Sequence, residues 1–147
     1  MIGGDIRSTW FVDETSAGEL AKWSADRKRQ LSSLRELLEK AVRVVKEAAP
    51  AADPLLRAVH MGYDATSATA YYGFCAGRGK HIVINLHSFL QDSLCASESQ
   101  RHVAVTVYDF IGTVTHEIAH ALTDDGHQAA WRHAHHALLK AVFHRPS

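Results

Sequence analysis

The alternation of apolar and polar positions divides the chain into a helical half, a strand-rich middle and a second helical half. From Leu20 onward, Trp23, Leu31, Leu34, Leu38, Ala41, Val42 and Val45 recur near helical spacing, which predicts one long amphipathic helix ended by Pro50 and Pro54. Ser16 followed by Glu19 reads as its capping box, and the apolar stripe lapses around Arg27 to Arg29. Residues 1–15 read as irregular. Three short runs then carry strand character: Leu55 to Tyr63, Ala68 to Phe74 and His81 to Leu86, the last being the most β-branched. "CAGRGK" supplies hairpin turn chemistry before the third run, and "HSFLQDSLC" after it reads as a short helix or a loop. "VTVYDFIGTVTHEIAHAL" is a buried helix with Thr106 and Asp109 at its start. "TDDG" stops it. A last helix carries Trp131, Ala134, Leu138 and Val142 on one stripe.

Strands that follow one another through short turns pair antiparallel as a rule. The expected fold is therefore α+β: one domain over 1–147, with a small, mostly antiparallel sheet packed on the helix around residue 116. A long N-terminal helix and a C-terminal helix complete it.

Composition agrees with a globular chain. Of the 147 residues, 46% are hydrophobic and 22% charged, enough for a buried core. The formal net charge of zero makes no general case for nucleic acid. Between Lys22 and Lys46, eight Lys/Arg face three Asp/Glu, which reads first as a solvated helix face and second as a phosphate-binding stripe. Cys75 and Cys95 form no CxxC pair and no disulfide framework. With no secretory start and no apolar run of membrane-spanning length, the chain reads as soluble and intracellular, in the cytoplasm or nucleus, without a membrane partner.

The chemistry concentrates in "THEIAHALTDDGHQAAW". His116 and His120, four residues apart, share one helix face, so two imidazole nitrogens can reach one ion at about 2.0–2.1 Å. Glu117 projects nearby and can take a proton from water activated by that ion, as HExxH zinc hydrolases require. A catalytic zinc usually takes a third protein ligand. No glutamate follows Glu117, and His127, just after Gly126, is the candidate. Asp124 and Asp125 are its rivals and can equally serve as hydrogen-bond partners of a ligand or as a helix cap. Gly112 lies one turn before His116. A glycine there costs roughly 1 kcal/mol against alanine, so a crossing element, or a peptide, is expected to approach the helix. His133, His135, His136 and His144 read as surface residues. Donors to a developing oxyanion can be sought among Tyr63, Tyr71, Tyr72, Tyr108 and His81, each of which reads first as a packing residue.

"HEIAHALTDDGHQAAW" resembles the active-site stretch of small SprT-like and WLM-type zinc metalloproteases and of YgjP-like domains. These show HExxH, a short turn, a histidine and an aromatic residue four positions later, here Trp131. The resemblance implies a minimal zincin-like fold and one Zn2+ held by His116, His120 and His127, with Glu117 as general base. It implies a peptide or protein substrate whose backbone pairs along an exposed sheet edge near "HIVINL", and Trp131 as the anchor of its helix beneath the metal. Six residues separate His120 from His127, one more than is usual in WLM and YgjP-like sequences. No zinc ribbon or ubiquitin-binding motif accompanies the match. Two other readings remain open: a non-catalytic zinc module of a larger protein, and a DNA-associated protease of the crosslink-repair type.

Overall fold

The computed structural model describes residues 7–12, 18, 20–64, 71–76, 81–91, 105–123 and 128–144. Strand β1 (Arg7–Val12) precedes the long helix α1 (Ala25–Ala48). A 3-10 turn (Pro50–Ala52) and a one-turn helix α2 (Asp53–Leu56) lead into β2 (Val59–Tyr63). Strands β3 (Gly73–Ala76) and β4 (His81–Asn85) follow, then a helical turn over residues 86–91. The chain finishes with helices α3 (Val107–Thr123) and α4 (Ala129–Phe143).

The α+β class holds, but the sheet is not mostly antiparallel. Its order is β1-β2-β4-β3, with β1 parallel to β2, β2 parallel to β4, and only β3 antiparallel to β4. Two physical facts produce the difference. Arg7–Val12, expected to be irregular, is a strand, and α1 lies in the long connection between β1 and its parallel neighbour β2. β4 also inserts between β2 and β3, so two strands adjacent in sequence are not adjacent in the sheet. Burial on both faces explains why β2 and β4 read as nearly continuous apolar runs. Register sorts their side chains. Val59 lies beside Ile82 and Met61 beside Ile84, all in the main core, while His60 and Val83 point to the opposite face.

Boundaries also shift. Leu55 and Leu56 belong to α2 rather than to a strand, because Pro54 suits a first helical turn. Tyr71 and Tyr72 precede β3 rather than lying in it. The long helix begins at Ala25 with Ser24 as its N-cap, so the break falls before Arg27. Ser16, Glu19 and the "GRGK" turn lie outside the described residues.

Helix α3 is the central element and touches α1, α2, α4, β3 and β4. Its core face carries Phe110, Ile111, Val114, Ile118 and Ala119, all buried. Thr106 and Asp109 start it reciprocally: the Thr106 N–H donates to Asp109 Oδ2 at 2.7 Å, and the Asp109 N–H donates to the Thr106 carbonyl at 3.2 Å. On α1 the basic stretch is laced with ion pairs, Arg29 with Asp26 and Arg35 with Glu39, and Lys46 reaches Asp53 beyond the helix. None of the described helices is long and apolar enough to cross a membrane.

A polar hub fixes the end of the sheet beside α3. Asn85, 2% exposed, accepts from the Asp64 and His87 N–H groups at 2.9 and 3.2 Å. Its amide donates to the Asp64 and Tyr71 carbonyls at 3.3 and 3.2 Å. Ser88 Oγ also donates to the Tyr71 carbonyl. Buried amides of this kind are costly unless satisfied, so the hub pins both ends of the segment between β2 and β3. The edge strand is thereby set against α3.

Candidate metal centre

Helical spacing brings His116 and His120 together as expected. Their Nε2 atoms lie 3.2 Å apart. Two nitrogens bound to one tetrahedral ion at about 2.0–2.1 Å stand roughly 3.3 Å apart, so the pair already has the spacing of two ligands. Glu117 Oε1 is 3.7 Å from His116 Nε2, and ligating atoms of all three residues lie within 4.8 Å of one another.

Glu117 is 4% exposed, and its Oε2 makes no hydrogen bond among the described residues. Burial pushes its carboxyl up from 4.5 to about 7. A buried carboxyl with no lysine or arginine pairing with it among the described residues, beside two converging imidazoles, fits a site that takes up a divalent ion.

The sheet leaves room for this carboxyl by means of Gly73. In the β3–β4 register Gly73 lies opposite Ile84, on the face turned to α3. A Cβ at this position would stand 2.9 Å from the Val83 carbonyl oxygen and 3.3 Å from Glu117 Cγ. Glycine therefore permits the edge strand to pass directly over Glu117.

Trp131 locks the imidazoles from the other side. Its Nε1–H donates to the His116 carbonyl at 3.1 Å, and its ring lies 4.7 Å from that of His116 and 5.4 Å, stacked, from that of His120. Trp131 thus holds both rings as well as its own helix.

His133, His136 and His144 are exposed, as expected, but His135 is not a plain surface residue. Its ring lies 5.7 Å from His116 and 4.9 Å from Trp131, and its Nε2 is 3.1 Å from Thr115 Oγ1. Thr115 donates its own proton to the Ile111 and Gly112 carbonyls at 2.8 and 3.1 Å, so it accepts from His135. Burial holds the His135 imidazole below its ordinary range, a hydrogen bond to the Gly112 backbone opposes that, and the charge of His120 adds to it. The signal available in the sequence was its position four residues after Trp131.

The third-ligand candidates His127, Asp124 and Asp125, together with Gly126, lie outside the described residues. Among the oxyanion candidates, Tyr63 is buried with its hydroxyl 3.0 Å from His87 Nδ1, and the Tyr71 hydroxyl donates to Asp64 at 2.7 Å. His81 stands beside His60. Tyr72 and Tyr108 alone among the five line the cleft that opens on His116 and Glu117, a space of about 430 Å³ also bordered by Gly73, Asp109, Gly112 and Thr113. The "HIVINL" strand is interior, and the edge strand beside the cleft is β3.

At Gly112, nothing outside the helix's own backbone lies within 4 Å of where a Cβ would be, so no described element crosses the helix there, and an approaching peptide, the other expectation, is left open. No protein-family model, curated protein or solved structure matches the chain.

Proposed function

We propose that this protein is a zinc-dependent metallopeptidase of the minimal HExxH kind, as the resemblance to SprT-like and WLM-type domains implies. The observation that carries the proposal is the 3.2 Å convergence of the His116 and His120 nitrogens beside a buried carboxyl, at the end of an open cleft. His116, His120 and His127 hold the cation in this reading. A zinc ion held there supplies Lewis-acid activation of water and polarisation of the scissile carbonyl.

The chain supplies the rest. Glu117 removes a proton from the water that adds to the carbonyl carbon, then delivers it to the amine nitrogen as the C–N bond breaks. Burial holds its carboxyl up to about 7 in the metal-free protein, and a bound cation would favour the carboxylate form that a base needs. Trp131 keeps the two imidazoles oriented through the His116 carbonyl and through ring contact. The outer edge of β3 offers backbone groups to an extended peptide, in place of the interior "HIVINL" strand.

What favours hydrolysis over a zinc site that only braces the fold is Glu117 itself. A bracing site has no use for a buried carboxyl that costs stability, whereas a general base needs one.

The test is metal analysis and hydrolysis of an unfolded protein substrate, wild type beside E117Q and H127A. One zinc per chain in wild type and E117Q, weakened binding in H127A, and cleavage by wild type alone are expected. Zinc-loaded wild type that leaves the substrate intact, or E117Q that cleaves as fast, refutes the enzyme. Full zinc affinity in H127A moves the third ligand to Asp124 or Asp125.

A further inference from the structure

Helix α3 carries a glycine that the described fold does not need. Gly112 sits inside the helix, where glycine is the poorest residue short of proline, and open space lies where its side chain would be. That open space belongs to the cleft ending at His116 and Glu117. Two aromatic rings border the same cleft, and each is backed by a phenylalanine. Tyr72 meets Phe89 edge-on at 5.0 Å, and Phe89 in turn stacks on Phe110 at 4.1 Å. Tyr108, 64% exposed, lies 5.8 Å from Phe143. The charged groups along the cleft are Asp109 and Glu117, with no lysine or arginine among its lining residues.

We propose that the cleft over Gly112, between Tyr72 and Tyr108, is the pocket for an aromatic or large aliphatic side chain of the peptide, next to the bond that Glu117 helps to cut. The inference rests on the peptidase reading and adds the class of side chain. Tyr72, packed on the buried Phe89, holds its position without an occupant, and the exposed Tyr108 and Phe143 offer apolar surface that an entering side chain would cover. The volume of about 430 Å³ lies at the small end of ligand pockets, enough for one large side chain and short of an extended segment. Acidic side chains are disfavoured by the two carboxyls, and small ones leave the rings uncovered. Glycine at 112 keeps the floor low, at the expense of helix stability.

The test uses four internally quenched peptides that differ at one residue: Phe, Leu, Ala or Asp. Wild type should cleave beside Phe and Leu at least about tenfold faster, as kcat/KM, than beside Ala or Asp. Gly112→Leu, which fills open space with a good helix former, should erase that advantage. Gly112→Ala should reduce it in part while raising Tm by about 2–4 °C. A gain in stability with a loss of selectivity is the signature of a pocket and not of a packing role. Equal cleavage of the four peptides by wild type, or undiminished selectivity in Gly112→Leu, overturns the pocket and leaves the peptidase standing. If wild type cleaves none of them, the peptidase reading has failed, and the pocket is judged by binding. The same peptides are titrated into E117Q and into E117Q/G112L and followed by amide chemical shifts. Tighter binding of the Phe peptide, lost with Leu at 112, supports the pocket, and binding indifferent to either change overturns it.

Discussion

Among the described residues two glutamates are buried, and they stand in different relations to their surroundings. Glu39 on α1 is 2% exposed and has Arg35 one helical turn away, with Nε and Oε1 3.2 Å apart. Glu117 on α3 is 4% exposed, and its ion pair among the described residues is with the His116 imidazole at 3.7 Å. The first carboxylate is paired within its own helix through Oε1, although its Oε2, like that of Glu117, makes no hydrogen bond among the described residues. The second is pushed up to about 7 by burial, a state the fold tolerates rather than favours. A buried acid with an internal cation is architecture. A buried acid beside two converging imidazoles is where, in the proposed reading, an external cation would complete the charge balance.

The strongest attempt to break the contrast removes one of those imidazoles. Replacing a residue that merely orients a metal ligand already costs about 10–100-fold in affinity. His120→Ala removes a ligand outright, so zinc affinity should fall by more than about 100-fold and peptide hydrolysis should disappear. Competition against a chromophoric chelator reads the affinity. Unchanged affinity would mean that Glu117 has no cation to balance it and that the pairing of His116 with His120 is incidental.

The next test titrates the contrast. Glu117 ionises near its ordinary 4.5 when unfolded and near 7 in the fold. Its contribution to stability is therefore present below about pH 4.5 and lost as pH rises through about 7, because the unfolded chain gives up its proton first. The loss is on the order of 3 kcal/mol in the metal-free protein. E117Q lacks this penalty. It should match wild type at pH 4.5 and exceed it by that amount at pH 8 in urea melts, and added zinc should shrink the gap by favouring the wild-type carboxylate. E39Q should instead lose about 1 kcal/mol of stability as a charge-assisted bond to a partly exposed guanidinium is removed. A gain in stability at pH 8 for E39Q as large as that for E117Q would erase the distinction.

A smaller perturbation acts on the strand above Glu117. Gly73→Ala places a methyl group 2.9 Å from the Val83 carbonyl oxygen and 3.3 Å from Glu117 Cγ. Relief requires β3 to move away from α3, at a cost of about 1–3 kcal/mol. Hydrolysis should fall more than zinc affinity does, since the methyl meets the carboxyl and not the imidazoles. Zinc affinity that drops in step with hydrolysis would place Gly73 in general packing.

How much of this was legible in the chain depends on how local the signal was. His116, Glu117 and His120 lie within five residues of one helix, so spacing alone put them on one side. The resemblance to SprT-like and WLM-type sequences implied a place beneath them for Trp131, whose periodicity put it only on the apolar stripe of its own helix. The sheet order was not legible, because it depends on β1 pairing with β2 and on β4 entering between β2 and β3, both contacts between distant residues. The roles of Gly73 and Gly112 were hidden for the same reason. One is explained by a strand passing over Glu117 and the other by open space, and neither fact resides within a helical turn. His135 was misjudged because a run of histidines reads as solvated, whereas this ring turns inward to Thr115. Both glutamates sit on amphipathic helices, and although the HExxH spacing singled out Glu117, the burial of either carboxyl came only from the packing around its helix.

The finest test separates the two ways in which Trp131 holds the imidazoles. The indole contributes a hydrogen bond to the His116 carbonyl at 3.1 Å and a ring stacked on His120 at 5.4 Å. Trp131→Phe deletes the first and keeps much of the second. A net hydrogen bond is worth about 1 kcal/mol, so the metal-free protein should lose that much stability. If the bond also fixes the direction in which His116 offers its nitrogen, zinc affinity should fall as well, by about 10-fold, the lower end of what orienting residues contribute. Stability lost with affinity kept would make Trp131 a packing residue of α4, and the burden of aligning the two rings would pass to the helix backbone alone. Affinity lost along with stability would show that the imidazoles are aimed from outside their own helix, as Glu39, which relies on α1 alone, is not.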